Sequence, residues 1–196
     1  MLKRFLKFLK NIRWWQILIL LLITLIISIL ALRSNNEQMV LLRNNVYSAD
    51  KNNTNVQQAL NNLQAYVTSH MNTSLNSGSN TIYPPIQLVY TYQRLLNQEA
   101  AASSASNSVI YTNAEYYCQQ KIPTGFSGIY RVPCIEQYIS SHNLAAPNIP
   151  QSLYEFDFLS PSWSPDLAGW SLLASVLLGL LLIIKLLFLA WNRYFN

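Results

Sequence analysis

The sequence predicts an all-α fold: two transmembrane helices flanking a mainly helical extracytoplasmic domain, with a proline-rich extended segment before the second span. Two long apolar runs, acidic residues confined between those runs, and an apolar period near 3.6 residues in the stretch separating them predict it. The first run, Trp14 to Leu32, has nineteen residues and no charge. The second opens at Leu167 and reads "LAGWSLLASVLLGLLLII" up to Lys185. At 1.5 Å per helical residue each crosses a hydrocarbon core of about 30 Å. In lipid the backbone must satisfy its own donors and acceptors, so such a run is helical. The boundaries that follow are 1–13 for a basic cytoplasmic segment, 14–32 for the first span, 33–166 for the outer domain, 167–190 for the second span and 191–196 for a cytoplasmic tail.

The net charge of +5 is unevenly placed. Lys3, Arg4, Lys7, Lys10 and Arg13 precede the first run, and Lys185 and Arg193 lie at the far end of the second. All eight acidic residues lie between the runs. Lys/Arg excess marks the cytoplasmic end of a span, which predicts a multi-pass protein of the cell membrane with both termini inside and the central domain outside. A nucleic-acid partner is excluded, because the basic excess is not on the folded part. The first run exceeds the 7–15 residues of a signal-peptide core, and "ILALRSNN" offers no small-residue cleavage site. An uncleaved signal anchor is expected.

Lys3, Lys7 and Lys10 occupy one face of a helical period whose other face carries Leu2, Phe5, Leu6, Leu9 and Ile12. That is an amphipathic anchor for an anionic leaflet. Trp14, Trp15 and Trp191 fit an inner aromatic belt, and Trp170 an outer one. Twenty residues beyond Pro165, Lys185 reaches the inner boundary and is read as an anchor whose stem snorkels to the headgroups. Ser171, Ser175 and Gly179 recur every four residues, and Thr24 and Ser28 give the first span a similar stripe. Small residues at this spacing permit close helix approach, either between the two spans or in a homodimer.

Between the spans, Met39, Leu42 and Val46 continue the first helix outward, and "SADKNNTN" interrupts it. Thr54 and Gln57 resemble a capping box opening a helix with Val56, Leu60, Leu63, Val67, Met71 and Leu75 on its buried face. "NSGSN" ends that helix. A helix opened by Pro84 and Pro85 places Ile86, Val89 or Tyr90, Gln93 and Leu96 on a common side. Shorter helices follow near 113–120 and 133–141, then a proline-rich stretch in which "YEFDF" alternates like a brief strand or an extended strap. Ser164 as N-cap with Pro165 at the first helical position opens the second span.

Cys118 and Cys134 are the only cysteines, with fifteen residues between them. On the outer side disulfides persist. The spacing is neither C-x-x-C nor, with His70 and His142, a common zinc pattern, so a staple between two short helices is expected. His70 and His142 are read as structural. Glu115, Glu136, Glu155 and Asp157 are candidates for a carboxylate pair of the glycosidase type, against the commoner case of scattered surface acids. No nucleophile elbow, zincin helix, Walker loop or dinucleotide fingerprint is present, so no cofactor and no catalysis is expected. Eleven of twelve tyrosines lie between the spans, either at a binding surface, where their apolar area and polar tip suit contact, or filling a small core that reaches water.

"HMNT" at 70–73, "PPIQL" at 84–88, "RVPCI" around the second cysteine and "LYEFDFLSPSWSPDLAGW" at 153–170 resemble a family of two-span membrane proteins of Saccharibacteria-type candidate-phylum bacteria. The resemblance covers most of 33–170 and implies a membrane-anchored helical outer domain in a cell-wall-bearing host. It carries no activity and no site residues. The expected function is to bind or scaffold another cell-envelope component, with the lipid bilayer and an envelope protein or a second copy as partners. The alternative is an extracytoplasmic ligand sensor acting through a partner protein.

Alkylation of intact cells before a non-reducing gel leaves Cys118 and Cys134 unlabelled if the staple forms; labelled thiols at both positions refute it.

Overall fold

The computed structural model describes residues 13–77, 86–102, 105–122, 130–144, 149–159 and 163–195. The basic segment with Lys3, Lys7 and Lys10, the pair Pro84 and Pro85, and much of "NSGSN" lie outside the described residues. The chain is mainly helical. In order it forms α1 (Trp14–Asn52), α2 (Val56–His70), β1 (Ser74–Ser77), β2 (Ile86–Gln87), α3 (Val89–Ala102), α4 (Ala105–Lys121), α5 (Arg131–Ser141), a 3-10 turn (Gln151–Leu153), β3 (Glu155–Leu159) and α6 (Leu167–Phe195). It divides into two compact units, one of Met1–Gln38, Ser69–Met71 and Trp163–Asn196, the other of Met39–Thr68 and Asn72–Ser162.

The first unit holds the apolar part of α1 and all of α6. Both helices are long and apolar enough to cross a membrane, and only 11% of the apolar window of each is buried. The core helix of a soluble protein is mostly buried, so these surfaces need an apolar surrounding other than the protein itself. Each helix hides one narrow stripe: Ile17 and Ser28 on α1, and Ala168, Ser171, Ser175 and Lys185 on α6. The start of α6 is built by Asp166. Its Oδ1 accepts the Gly169 amide at 2.8 Å and its Oδ2 accepts the Asn35 side-chain amide at 2.6 Å, while the same Asn35 nitrogen donates to the His70 carbonyl at 2.7 Å. Asp166 is therefore the N-cap, not Ser164; a carboxylate satisfies an otherwise orphaned amide and suits the positive helix end. Gly169 is required there: a Cβ would lie 2.7 Å from the Ser164 carbonyl oxygen.

In the second unit α1 runs on to Asn52, past the point where "SADKNNTN" suggested a break. It closes at Asn53, whose φ is 52°. The Thr54 amide donates to the Ala49 carbonyl and the Asn53 amide to that of Asp50, a Schellman ending with asparagine in the place glycine often takes. Asn143, at φ 59°, ends α5 with the same pair of bonds, from Leu144 to Ile139 and from Asn143 to Ser140. Helix α2 opens at Val56 after Asn55, not on a Thr54 capping box, and buries Leu60, Leu63 and Val67 as its spacing predicts. It stops at His70, so Met71 and Leu75 are not on it. Asn72 adopts a positive φ of 53° and turns the chain into β1, from which Leu75 is buried.

A three-stranded antiparallel sheet was not expected. Its order is β1-β3-β2: Ser74 pairs with Leu159 and Ser77 with Phe156, and Ile86 pairs with Phe156 and Gln87 with Glu155. Ile86 thus belongs to a strand and not to a helix. Partners this distant in sequence leave no local signal, because strand pairing is a tertiary event. The buried face of α3 is Val89, Tyr92, Leu96 and Ala100 rather than the set with Gln93. Tyr111, Ala114 and Cys118 of α4 and Val132, Ile135 and Ile139 of α5 complete the core.

The junction of α1 and α3 is held by one carboxylate. Asp50, 1% exposed, accepts the amides of Tyr90 at 3.0 Å and Thr91 at 2.8 Å and the Thr91 hydroxyl at 2.7 Å. Arg94 donates to Asp50 Oδ1 and to the Asp50 carbonyl, each at 3.0 Å. A side chain four residues past Val46 on the apolar stripe of α1 therefore caps a helix forty residues later. Asp50→Ala strips that cap and leaves two amides unpaired, with an expected loss of about 2 kcal/mol. Denaturant unfolding measures the loss, and hydrogen exchange at Tyr90 and Thr91 accelerates; unchanged protection at both amides contradicts the capping role.

Candidate functional site

Two features of the second unit concentrate functional groups. The first is the α4–α5 hairpin. Cys118 and Cys134 are joined by a disulfide, with their Cα atoms 5.9 Å apart. Arg131, buried at the start of α5, donates from Nη2 to the Ile122 carbonyl at 3.1 Å and fastens the hairpin a second time. Pro133 is tolerated because the amide it lacks belongs to the first turn, where helix donors have no partner within the helix. The braced hairpin displays an aromatic ladder. Tyr117 lies 5.2 Å from Tyr138, which stacks on His142 at 4.4 Å. Lys121 sits 4.9 Å from the centroid of the Tyr117 ring and donates to its hydroxyl. Tyr116, Tyr117 and Tyr130 are exposed. His142 ends α5, and its Nδ1 donates to the Tyr138 carbonyl at 2.8 Å.

The second feature is a cluster of tyrosines and carboxylates. Strand β3 turns its acids inward: Glu155 and Asp157 are buried while Phe156 and Phe158 are half-buried. Gln87 donates from Nε2 to Glu155 Oε1 at 2.8 Å. The rings of Tyr92 and Tyr154 meet edge to face at 4.9 Å. Burial pushes the Tyr92 hydroxyl well above its ordinary range, helped by the charges of Glu136 and Glu115 and by Tyr154 and Tyr111. Tyr154 is raised for the same first reason, then by Glu136 and Glu155. Burial raises Glu115, and burial followed by the Glu155 charge raises Glu136. Residues distant in sequence, on α3, α4, α5 and β3, thus form one electrostatic group. Among the described residues no set of three or more His, Cys, Asp or Glu is placed to hold a metal.

The remaining residues singled out from the sequence fall in the first unit. Ser28, Ser171 and Ser175 are on the buried stripes and Thr24 is half-buried; Ser175 donates to the Ser171 carbonyl at 2.8 Å. A Cβ at Gly179 meets nothing within 4 Å, so close approach does not require a glycine there. Trp14, Trp15, Trp170 and Trp191 are exposed, and Trp170 packs edge to face on Trp163. Lys185 is 6% exposed, on the same side as Ser171 and Ser175.

Asp50, Gln87, Tyr92, Arg131 and Gly169 were missed. For Asp50 and Tyr92 a signal existed, since each continues an apolar stripe at helical spacing. For Gln87 none did, because its partner is sixty-eight residues away. No protein-family model, curated protein or solved structure matches this chain.

A glutamate whose folded pKa is raised favours folding when protonated. That stability is fully present below the ordinary glutamate value and is lost as pH rises through the raised one. The thermal midpoint therefore climbs as pH falls from neutral toward the ordinary glutamate range. Glu115→Gln and Glu136→Gln raise the midpoint at neutral pH and flatten this dependence; variants destabilised at neutral pH contradict it.

Proposed function

We propose that the chain is an integral membrane protein with both termini cytoplasmic, presenting its helical domain outside to bind or scaffold another cell-envelope component without catalysis. The observation that carries this reading is the exposed aromatic ladder on a hairpin braced by a disulfide. Tyr116, Tyr117 and Tyr130 offer apolar area with polar tips, the composition of the centre of a contact surface. A brace reduces the freedom that the hairpin would lose on docking, which favours affinity. The helices α1 and α6 support membrane anchoring through their length and their exposed apolar surface. Lys/Arg excess outside the spans and acids between them support the orientation. The disulfide accords with an oxidising outer compartment. The resemblance to a family of two-span membrane proteins is in keeping with a membrane-anchored helical domain.

In-cell crosslinking followed by immunoprecipitation tests the reading. A recurrent envelope partner is expected with the native chain, and its recovery falls several-fold with Tyr116→Ala combined with Tyr117→Ala. Recovery of abundant bystanders alone, or of the same partner undiminished, contradicts it.

A further inference from the structure

Asparagine followed two residues later by threonine or serine, with any residue but proline between, is the acceptor sequence for N-linked glycan transfer. It occurs twice in this chain, as Asn52-Asn53-Thr54 and as Asn72-Thr73-Ser74. Folding treats the two differently. Asn52 is the last residue of α1, and Lys51, Asn52, Asn53, Thr54 and Asn55 are all exposed. This turn is held by backbone bonds, from the Thr54 amide to the Ala49 carbonyl and from the Asn53 amide to the Asp50 carbonyl. Those bonds use neither the Asn52 side-chain amide nor the Thr54 hydroxyl. Asn72, by contrast, is half-buried at a φ of 53°, and Ser74, the hydroxyl of its motif, opens β1 and pairs with Leu159. Between them the Thr73 hydroxyl donates to the Leu159 carbonyl at 2.7 Å. The second motif is thus built into the start of the sheet, while the first stands clear of it. Beside the first, Gln58, Asn61 and Asn62 expose amide side chains on α2, and no Lys, Arg, Asp or Glu occurs from Asn52 to Gln93. Amides both donate and accept, as contact with sugar hydroxyls requires.

We propose that Asn52 is a covalent attachment site for an oligosaccharide, transferred outside the membrane from a lipid-linked pyrophosphate donor by a membrane transferase. The inference rests on the outward orientation proposed above. In the transfer the Asn52 Nδ2 attacks C1 of the first sugar. The N–C1 bond forms and the bond from C1 to the pyrophosphate oxygen breaks. The lipid pyrophosphate leaves with the electron pair, and the amide gives one proton to a base on the transferase. Thr54 is the recognition residue, since its hydroxyl stands two residues beyond the acceptor. Both side chains are exposed, so they stay accessible whether transfer precedes or follows folding. The glycan adds bulk and hydration at the turn between α1 and α2. Asn72 stays bare, because its motif is taken up by the entry to β1. The site uses residues different from the aromatic ladder and is independent of what the ladder binds.

The test purifies the full chain from the membranes of the cells that make it and maps its peptides by mass spectrometry with electron-transfer fragmentation. A hexose-containing mass on Asn52 is expected, with Asn72 unmodified. Asn52→Gln and Thr54→Ala abolish the added mass, and Thr54→Ser keeps it. An intact disulfide on a non-reducing gel verifies that the three variants fold. A bare Asn52, a glycan on Asn72 instead, or a mass that survives Thr54→Ala overturns the proposal. Intact cells treated beforehand with a membrane-impermeant amine reagent separate the two ways to fail, because Lys51 is exposed beside the acceptor. Labelled Lys51 with bare Asn52 overturns the attachment site alone. Unlabelled Lys51 with bare Asn52 overturns the outward orientation and the attachment site with it.

Discussion

A single buried carboxylate sets where the second unit turns from strand to helix. Asp50, in the last turn of α1, caps α3, and Arg94 reaches back from α3 to close the junction. Helix α3 has no capping residue of its own at the right place: Leu88 precedes it, and its amide is taken by the Tyr154 carbonyl. The first free amides of α3 would otherwise be orphaned inside the protein, where water cannot serve them. The cap fixes the phase of the helix, and the phase decides that Tyr92, Leu96 and Ala100 face inward. Tyr92 is in turn the centre of the tyrosine and carboxylate group. The chemistry of that group thus depends on an ion pair at its border.

Elsewhere the second unit adds specific links to its apolar core. The disulfide and the Arg131 bond hold α4 to α5, and Gln87 holds β2 to β3. Loop closure of this size contributes about 3 kcal/mol in the chain-entropy model, comparable with the burial of one or two large apolar side chains. Asparagines at positive φ end α1 and α5 in a chain with five glycines. The acids of β3 face inward because the interior offers them Gln87, tyrosines and backbone amides, as where the Phe158 amide donates to Asp157.

Patterns of period and composition were legible wherever a residue's environment follows from its immediate neighbours. The apolar runs, the stripe Leu60, Leu63 and Val67 on α2, the continuation of α1 beyond Leu32 and the pairing of Cys118 with Cys134 all follow from short-range spacing or from cysteine count. Errors cluster where a distant partner outbid local preference. Ile86 and Leu75 carry helical spacing but are captured by β3. Ser164 and Pro165 form a good local helix start, yet Asp166 is the cap because Asn35 binds its second oxygen and Gly169 leaves room for the turn.

What the sequence by itself determined is therefore the helical class, the two apolar helices and the one cysteine pair, since hydrophobic period, run length and cysteine number are local quantities. What only the tertiary structure decided is which polar residues are buried together. Glu115, Glu136 and Glu155 read from the sequence either as members of a carboxylate pair or as scattered acids, and in the folded protein their charges bear on Tyr92 or Tyr154. The reason is physical. A charge is tolerated inside according to the partners that surround it, and those partners come from α3, α4, α5 and β3, elements that meet only when the chain has folded.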